Sequence, residues 1–198
     1  MTEGSAPRAP HREVPWRRLL LIGGAVAVAV WLLVGLGSRP LDHGSMTGIR
    51  DFSYSESGDV DPPIRRLQYE TGQAGTVIAS LSNNASFTVT VTQIELFPGP
   101  GGAPALMVQD EVSFEPEPRD GVVGERRSLE DHEARLGPNR QIRVYIEAHF
   151  EGCEFSEPGF AMGFGQMTVH YRYLGLPRTS VISLPQQLEI PAPESCHG

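Results

Sequence analysis

The chain has no lysine; all sixteen of its basic residues are arginine. That absence excludes every mechanism built on a side-chain amine, among them the Lys-ended phosphate loop, the Schiff base and the Ser-Lys pair. Cysteine is nearly absent as well, with Cys153 and Cys196 the only two, and their spacing excludes a CxxC redox pair or a zinc knuckle. Both tryptophans, Trp16 and Trp31, lie near the N-terminus, so no core Trp stands beside the cysteine pair as in an antibody domain. Positive charge is in deficit: 16 Arg face 24 acids, for a net charge of −8, which disfavours nucleic acid as a partner because phosphate binding needs clustered cations. The 198 residues, 39% hydrophobic and with 22 Gly and 17 Pro, fit one modest domain with extensions.

Long apolar runs are also scarce, with one exception. Residues 19–37 read LLLIGGAVAVAVWLLVGLG, nineteen positions without a charge. As a helix rising about 1.5 Å per residue, this run covers roughly the 30 Å core of a bilayer. The expectation is a transmembrane helix whose partner is lipid. A buried globular helix is rarely apolar on every face, and Gly23-Gly24 weakens a helix in water more than in lipid.

Arg8, Arg12, Arg17 and Arg18 precede the run, whereas only Arg39 and Arg50 follow it within fifteen residues. The positive-inside rule makes 1–18 a cytoplasmic tail and sends everything after Gly37 to the outer side of the cell membrane. A cleaved signal peptide is the alternative, but its apolar region usually spans only about 7–15 residues. The −8 then splits into +2 inside (four Arg, two acids) and −10 outside (twelve Arg, twenty-two acids). Outside the membrane, two cysteines predict one disulfide, Cys153–Cys196, worth about 3–4 kcal/mol by chain entropy, with two unpaired thiols as the alternative.

Residues 38–63 are rich in Gly, Ser, Asp and Pro and read as a flexible stalk. From residue 64 the pattern alternates with period two. Ile142, Val144, Ile146, Ala148 and Phe150 share one face, opposite Arg143, Tyr145, Glu147 and His149. Met167, Val169, Tyr171 and Tyr173 likewise oppose Thr168, His170 and Arg172. Phe87, Val89 and Val91 alternate in one phase and Ile94 and Leu96 in the other, which predicts a bulge near Thr92 or Gln93.

Further strands are expected at 76–81, 106–114, 179–184 and 187–190, with Pro185 marking an edge or bulge. Residues 128–136 fit either a short capped helix or a charged loop. About seven short strands without a long helical period predict an antiparallel β-sandwich over 64–198.

The succession Ala79-Ser-Leu-Ser-Asn-Asn84, Phe87-Thr-Val-Thr-Val91, Leu136-Gly-Pro-Asn139 with Ile142-Arg-Val144, then Cys153 and Cys196, resembles immunoglobulin-like extracytoplasmic domains of high-GC Gram-positive bacteria. Arginine-only usage fits a high-GC genome. The resemblance covers about residues 70–196; it implies a fold and a location and supplies no catalytic residue.

Tests for chemistry return little. No Gly-x-Ser-x-Gly occurs, and His132-Glu133 lacks the second His of a zinc protease. Leu176-Pro-Arg-Thr-Ser180 imitates a sorting signal but reads as a turn into a strand. The carboxylates at Asp110, Glu111, Glu115, Glu117 and Asp120 read as solvated surface, with weak calcium binding as the alternative. Copper delivery is the runner-up function, because soft Met and Cys ligands with His hold copper; its residues are Met162, Met167 and His170, with His149 and Cys196-His197 in support. Against it, Met167 is in phase with core residues and no Cys-x-Cys pair is present. Phe160, Met162 and Phe164 in the segment GFAMGFG form the candidate protein-contact site if exposed. The expectation is thus a non-enzymatic, membrane-anchored envelope module, with an envelope protein partner and no cofactor.

Overall fold

The computed structural model describes residues 16–57, 64–70, 72–96, 107–116, 125–151 and 161–191. Two compact units divide after Gly37.

The first unit contains α1, Trp16–Gly37. Its residues 19–34 are exposed at every position, including Leu20, Leu21 and Leu33 at 74, 73 and 72%. Among the described residues no helix is long and apolar enough to cross a membrane.

The second unit holds eleven strands among its described residues: β1 (Leu41–Arg50), β2 (Tyr54–Ser57), β3 (Ile64–Leu67), β4 (Ala74–Asn83), β5 (Val89–Glu95), β6 (Met107–Pro116), β7 (Arg127–Ser128), β8 (Ala134–Leu136), β9 (Arg140–Phe150), β10 (Ala161–Tyr173) and β11 (Leu176–Pro191). They form a five-stranded sheet, β1-β4-β9-β6-β7, and a six-stranded sheet, β2-β3-β11-β10-β5-β8. Alternation places Val77, Ala79 and Leu81 of β4 and Val144 and Ile146 of β9 on one inner face, and Val91 of β5 and Met167, Val169 and Tyr171 of β10 on the other; all are buried in one apolar cluster.

Side-chain amides stitch the two sheets at their rims. Gln109 of β6 donates to Ile94 O of β5 and accepts from Leu96 N, supplying ladder bonds that no neighbouring strand provides there. Asn83, at the end of β4, is fully buried and donates to the carbonyls of Phe87, Leu136 and Gly137.

Several expectations need correction. The stalk is largely structured: β1 runs antiparallel along β4 from Leu41↔Asn83 to Arg50↔Thr76, and β2 pairs with β3. An edge strand is held through its backbone and needs few apolar residues, so Gly- and Ser-rich sequence conceals it. The sandwich therefore begins near residue 38, not at 64.

The larger sheet is mixed, because β3 runs parallel to β11 over Ile64↔Gln187 to Arg66↔Glu189. Strands exceed the expected seven. Residues 128–136 form neither a helix nor a simple loop; a turn there joins β7 to β8 and buries both Leu129 and Leu136. Phe87 precedes β5 and is 50% exposed, out of the core that holds Val89 and Val91.

Both expected bulges occur. His170 faces Gln93 while Tyr171 faces Val91, so Thr92 is the extra residue. Near Pro185 the register jumps from Phe164↔Leu188 to Gln166↔Ser183, leaving residues 184–187 opposite Gly165 alone. Proline has no N–H to give the ladder, so the break falls where it costs least.

Candidate functional site

The candidate contact site is not an exposed loop. Ala161 opens β10, Phe164 lies buried opposite Leu188, and Met162 packs half-buried against the core. A Cβ at Gly163 would stand 2.6 Å from Nε2 of Gln187, so a larger residue there requires that side-chain amide to swing aside. Phe160 lies outside the described residues, as do Cys153 and Cys196 with their expected disulfide, and Glu117 and Asp120.

The copper residues are not brought together. Met167 is 1% exposed and faces Ile182 across the ladder, while His170 points to the other side of β10. Met162 lies beyond the Gly165 bulge. Two residues three apart on a strand cannot share a site, because side chains alternate faces. Among the described residues no group of three or more His, Cys, Asp or Glu side chains could hold a metal ion. His149 instead holds both carboxylate oxygens of Asp110 at 2.8 and 2.9 Å, and Asp110 is the bulged residue of β6.

His170 lines a shallow depression of about 460 Å³ on the outer face of β5, β10 and β11. Register aligns it with Gln93 and Thr179. Its Nδ1 lies 3.1 Å from Thr179 Oγ1 and its Nε2 3.7 Å from Glu95, and Thr92 at the bulge donates to its carbonyl. These groups can hydrogen-bond a polar ligand.

A further polar cluster among the described residues is one the sequence did not single out. It lies on the outer face of the five-stranded sheet, where β6 and β9 place Glu115 opposite Arg143 and Ser113 opposite Tyr145. The Tyr145 hydroxyl donates to Glu115 Oε2 at 2.5 Å, and Arg143 stands 3.7 Å from the same oxygen. Arg126 lies over the Tyr145 ring at 4.5 Å, donates to Ser113 Oγ and reaches Glu147. Glu115 Oε1 is buried without a hydrogen-bond partner.

The hydrogen bond to Tyr145 raises the Arg143 pKa against the opposing effect of burial, and the charges of Tyr145 and Glu115 add to the rise. Arg143 therefore stays cationic at any working pH. Strand alternation marks Tyr145 as outward, and so it is; it is nonetheless only 7% exposed, because the arginines and Glu115 cover it. The covering partners come from residues 126 and 115, and only cross-strand register reveals that they meet.

This network fastens the sheet. Tyr145→Phe leaves a buried carboxylate without its donor and is expected to lower stability by about 2–3 kcal/mol. Urea unfolding of the full chain measures it, and a shift below about 0.5 kcal/mol would mean that the network adds nothing.

No family model matches the chain, and no curated protein matches it. Among solved structures, similarity is found to BcpA, the major pilin subunit of Bacillus cereus, at 8% identity and a TM-score of 0.34, over 74% of this chain and 40% of the pilin. A family 123 glycoside hydrolase from Clostridium perfringens is similar at 11% identity and a TM-score of 0.36, over 73% of this chain and 27% of the hydrolase. The chain thus spans less than half the length of either.

Proposed function

We propose that this protein is a single-pass, membrane-anchored extracytoplasmic module of the cell envelope: residues 19–37 serve as an uncleaved anchor, and an immunoglobulin-like sandwich serves as a non-enzymatic binding or accessory domain for an envelope protein partner. One observation carries the reading. Residues 19–34 of α1 present exposed apolar side chains or glycine at every position around the helix. Each large apolar side chain left in water forfeits about 1.5–3 kcal/mol of burial, and a helix apolar on all sides recovers it in lipid. Gly35, Leu36 and Gly37 extend the uncharged run to nineteen residues, long enough in sequence for a bilayer core.

Alkaline carbonate extraction of membranes tests the anchor. The full chain is expected to stay in the pellet, and a chain lacking 19–37 to move to the supernatant. Val28→Arg, which costs about 2.5–3.5 kcal/mol of insertion at a helix centre, is expected to shift the chain measurably toward the soluble fraction. Release of the unaltered chain by carbonate would overturn the anchor. Crosslinking in intact cells then tests the partner: the expected result is a crosslinked band that contains a second envelope protein, and its absence over a range of crosslinker lengths would remove the binding role.

A further inference from the structure

Charge in the sandwich is sorted by end. At one end lie the turns 84–88, 137–139 and 174–175, brought together because Asn83 bonds Phe87, Leu136 and Gly137 and because Tyr173 pairs with both Val89 and Leu176. Exposed at or next to these turns are Arg39, Arg135, Arg140 and Arg172, with Asp42 and Glu133 the acids beside them. Arg135 and Arg172 flank Thr90 in one cross-strand row, and Arg172 pairs with Glu133. Arg140 caps the row Leu41–Asn83–Arg140 in the other sheet.

The opposite end has the reverse sign among the described residues. Asp51, Glu56, Glu70, Asp110, Glu111, Glu147, Glu151 and Glu189 gather there and outnumber the cations Arg50, Arg65, Arg66 and His149 and the Arg126 guanidinium that reaches Glu147. A domain of net negative charge thus keeps one end cationic.

That end also carries the most exposed aromatic side chain of the sandwich among the described residues. Phe87 is 50% exposed, with its ring set edge-on to Tyr173 at 6.3 Å between centroids. The chain enters the sandwich here as well, since Leu41 is paired with Asn83. Only three residues, Ser38, Arg39 and Pro40, separate that pairing from the uncharged run that ends at Gly37.

We infer that the Asn83 end is a docking surface for an anionic bilayer, with Arg135, Arg140 and Arg172 facing lipid phosphates and Phe87 inserted at headgroup depth. Charge complementarity and chain continuity select this occupant. Arginine near an anionic membrane surface strengthens association by about fivefold per residue, and an aromatic ring supplies the apolar term at the interface. The contact sets the orientation of the module: the acidic end, with the His149–Asp110 pair, is presented away from the membrane.

This inference rests on the proposed anchor, and the test separates the two. The full chain is reconstituted in nanodiscs of brominated phosphatidylglycerol or brominated phosphatidylcholine, and single tryptophans are read by bromine quenching. With Trp16→Phe in place, Trp31 reports the anchor. With Trp16→Phe, Trp31→Phe and Phe87→Trp, residue 87 reports the contact. A Tyr54→Trp probe in the same tryptophan-free background reports β2, which carries none of the three turns.

Strong quenching of Trp31 in both lipids is expected, with quenching at 87 well above that at 54 in phosphatidylglycerol and weaker in phosphatidylcholine. Arg135→Gln with Arg140→Gln is expected to weaken the surface association about 25-fold, bringing the signal at 87 down to its phosphatidylcholine level. If Trp31 is not quenched, the anchor fails and this inference with it. If Trp31 is quenched but residue 87 matches residue 54, or if quenching at 87 is equal in the two lipids, the inference alone is overturned.

Discussion

Replacing Phe52 by Ala is expected to destabilise the sandwich by about 3–5 kcal/mol, the usual cost of emptying a buried phenyl site. Phe52 lies in a stretch whose composition reads as tether, yet it is 6% exposed. Its ring meets Phe150 at 5.3 Å between centroids, and Tyr69 packs on the other side of Phe150 at 5.0 Å. Gly75 makes the site possible: a Cβ there would stand 2.6 Å from the Phe52 ring.

The left-handed turn at Asp51, with φ 65°, swings Phe52 inward between β1 and β2, and Gln73 holds the turn by donating to Asp51 O. Gly75→Ala, which crowds the same ring, is expected to cost about 1–3 kcal/mol by overpacking. Urea unfolding of the full chain in detergent reads both. A change below about 0.5 kcal/mol for Phe52→Ala would return residues 38–57 to the role of a tether.

Asn83→Ala is expected to cost a similar amount, about 3–5 kcal/mol, by a different route. Its Nδ2 supplies the carbonyls of Phe87, Leu136 and Gly137 at 2.9, 2.9 and 3.0 Å, and its Oδ1 accepts from Ala85 N at 3.0 Å. Truncation strands these backbone groups at a fully buried position, and each buried polar group left unpaired costs about 1–3 kcal/mol. Asn83→Asp keeps the Ala85 bond but turns an oxygen toward three carbonyls, so it should be no less harmful. Asn84→Ala, next along the chain and exposed, is expected to stay within about 0.5 kcal/mol. Equal effects at the two positions would show that the hub has no special weight.

Asn83 also marks the limit of sequence reading. An Asn-Asn pair between apolar runs signals a turn, and a turn follows. Nothing local distinguishes the first residue, which joins three backbone segments, from the second, which meets solvent. The difference is made by residues 136 and 137, more than fifty positions away. The same holds for Tyr145, whose outward position follows from alternation, while its cover of Glu115, Arg126 and Arg143 is set by how β6 pairs with β9. The bulges at Thr92 and Pro185 were legible because a bulge leaves a local mark, a reversal of apolar phase or a proline without a donor.

The sequence by itself determined the uncharged run of residues 19–37, the lack of lysine chemistry, and the inner faces of β5, β9 and the second half of β10, because these depend on residue type and period. Tertiary structure alone decided that residues 41–57 belong to the sandwich and that β3 lies parallel to β11. It also gathered arginines from positions 39, 135, 140 and 172 at one end of the domain. Each of those outcomes rests on pairing between distant segments through uniform backbone hydrogen bonds, which side-chain composition does not encode locally.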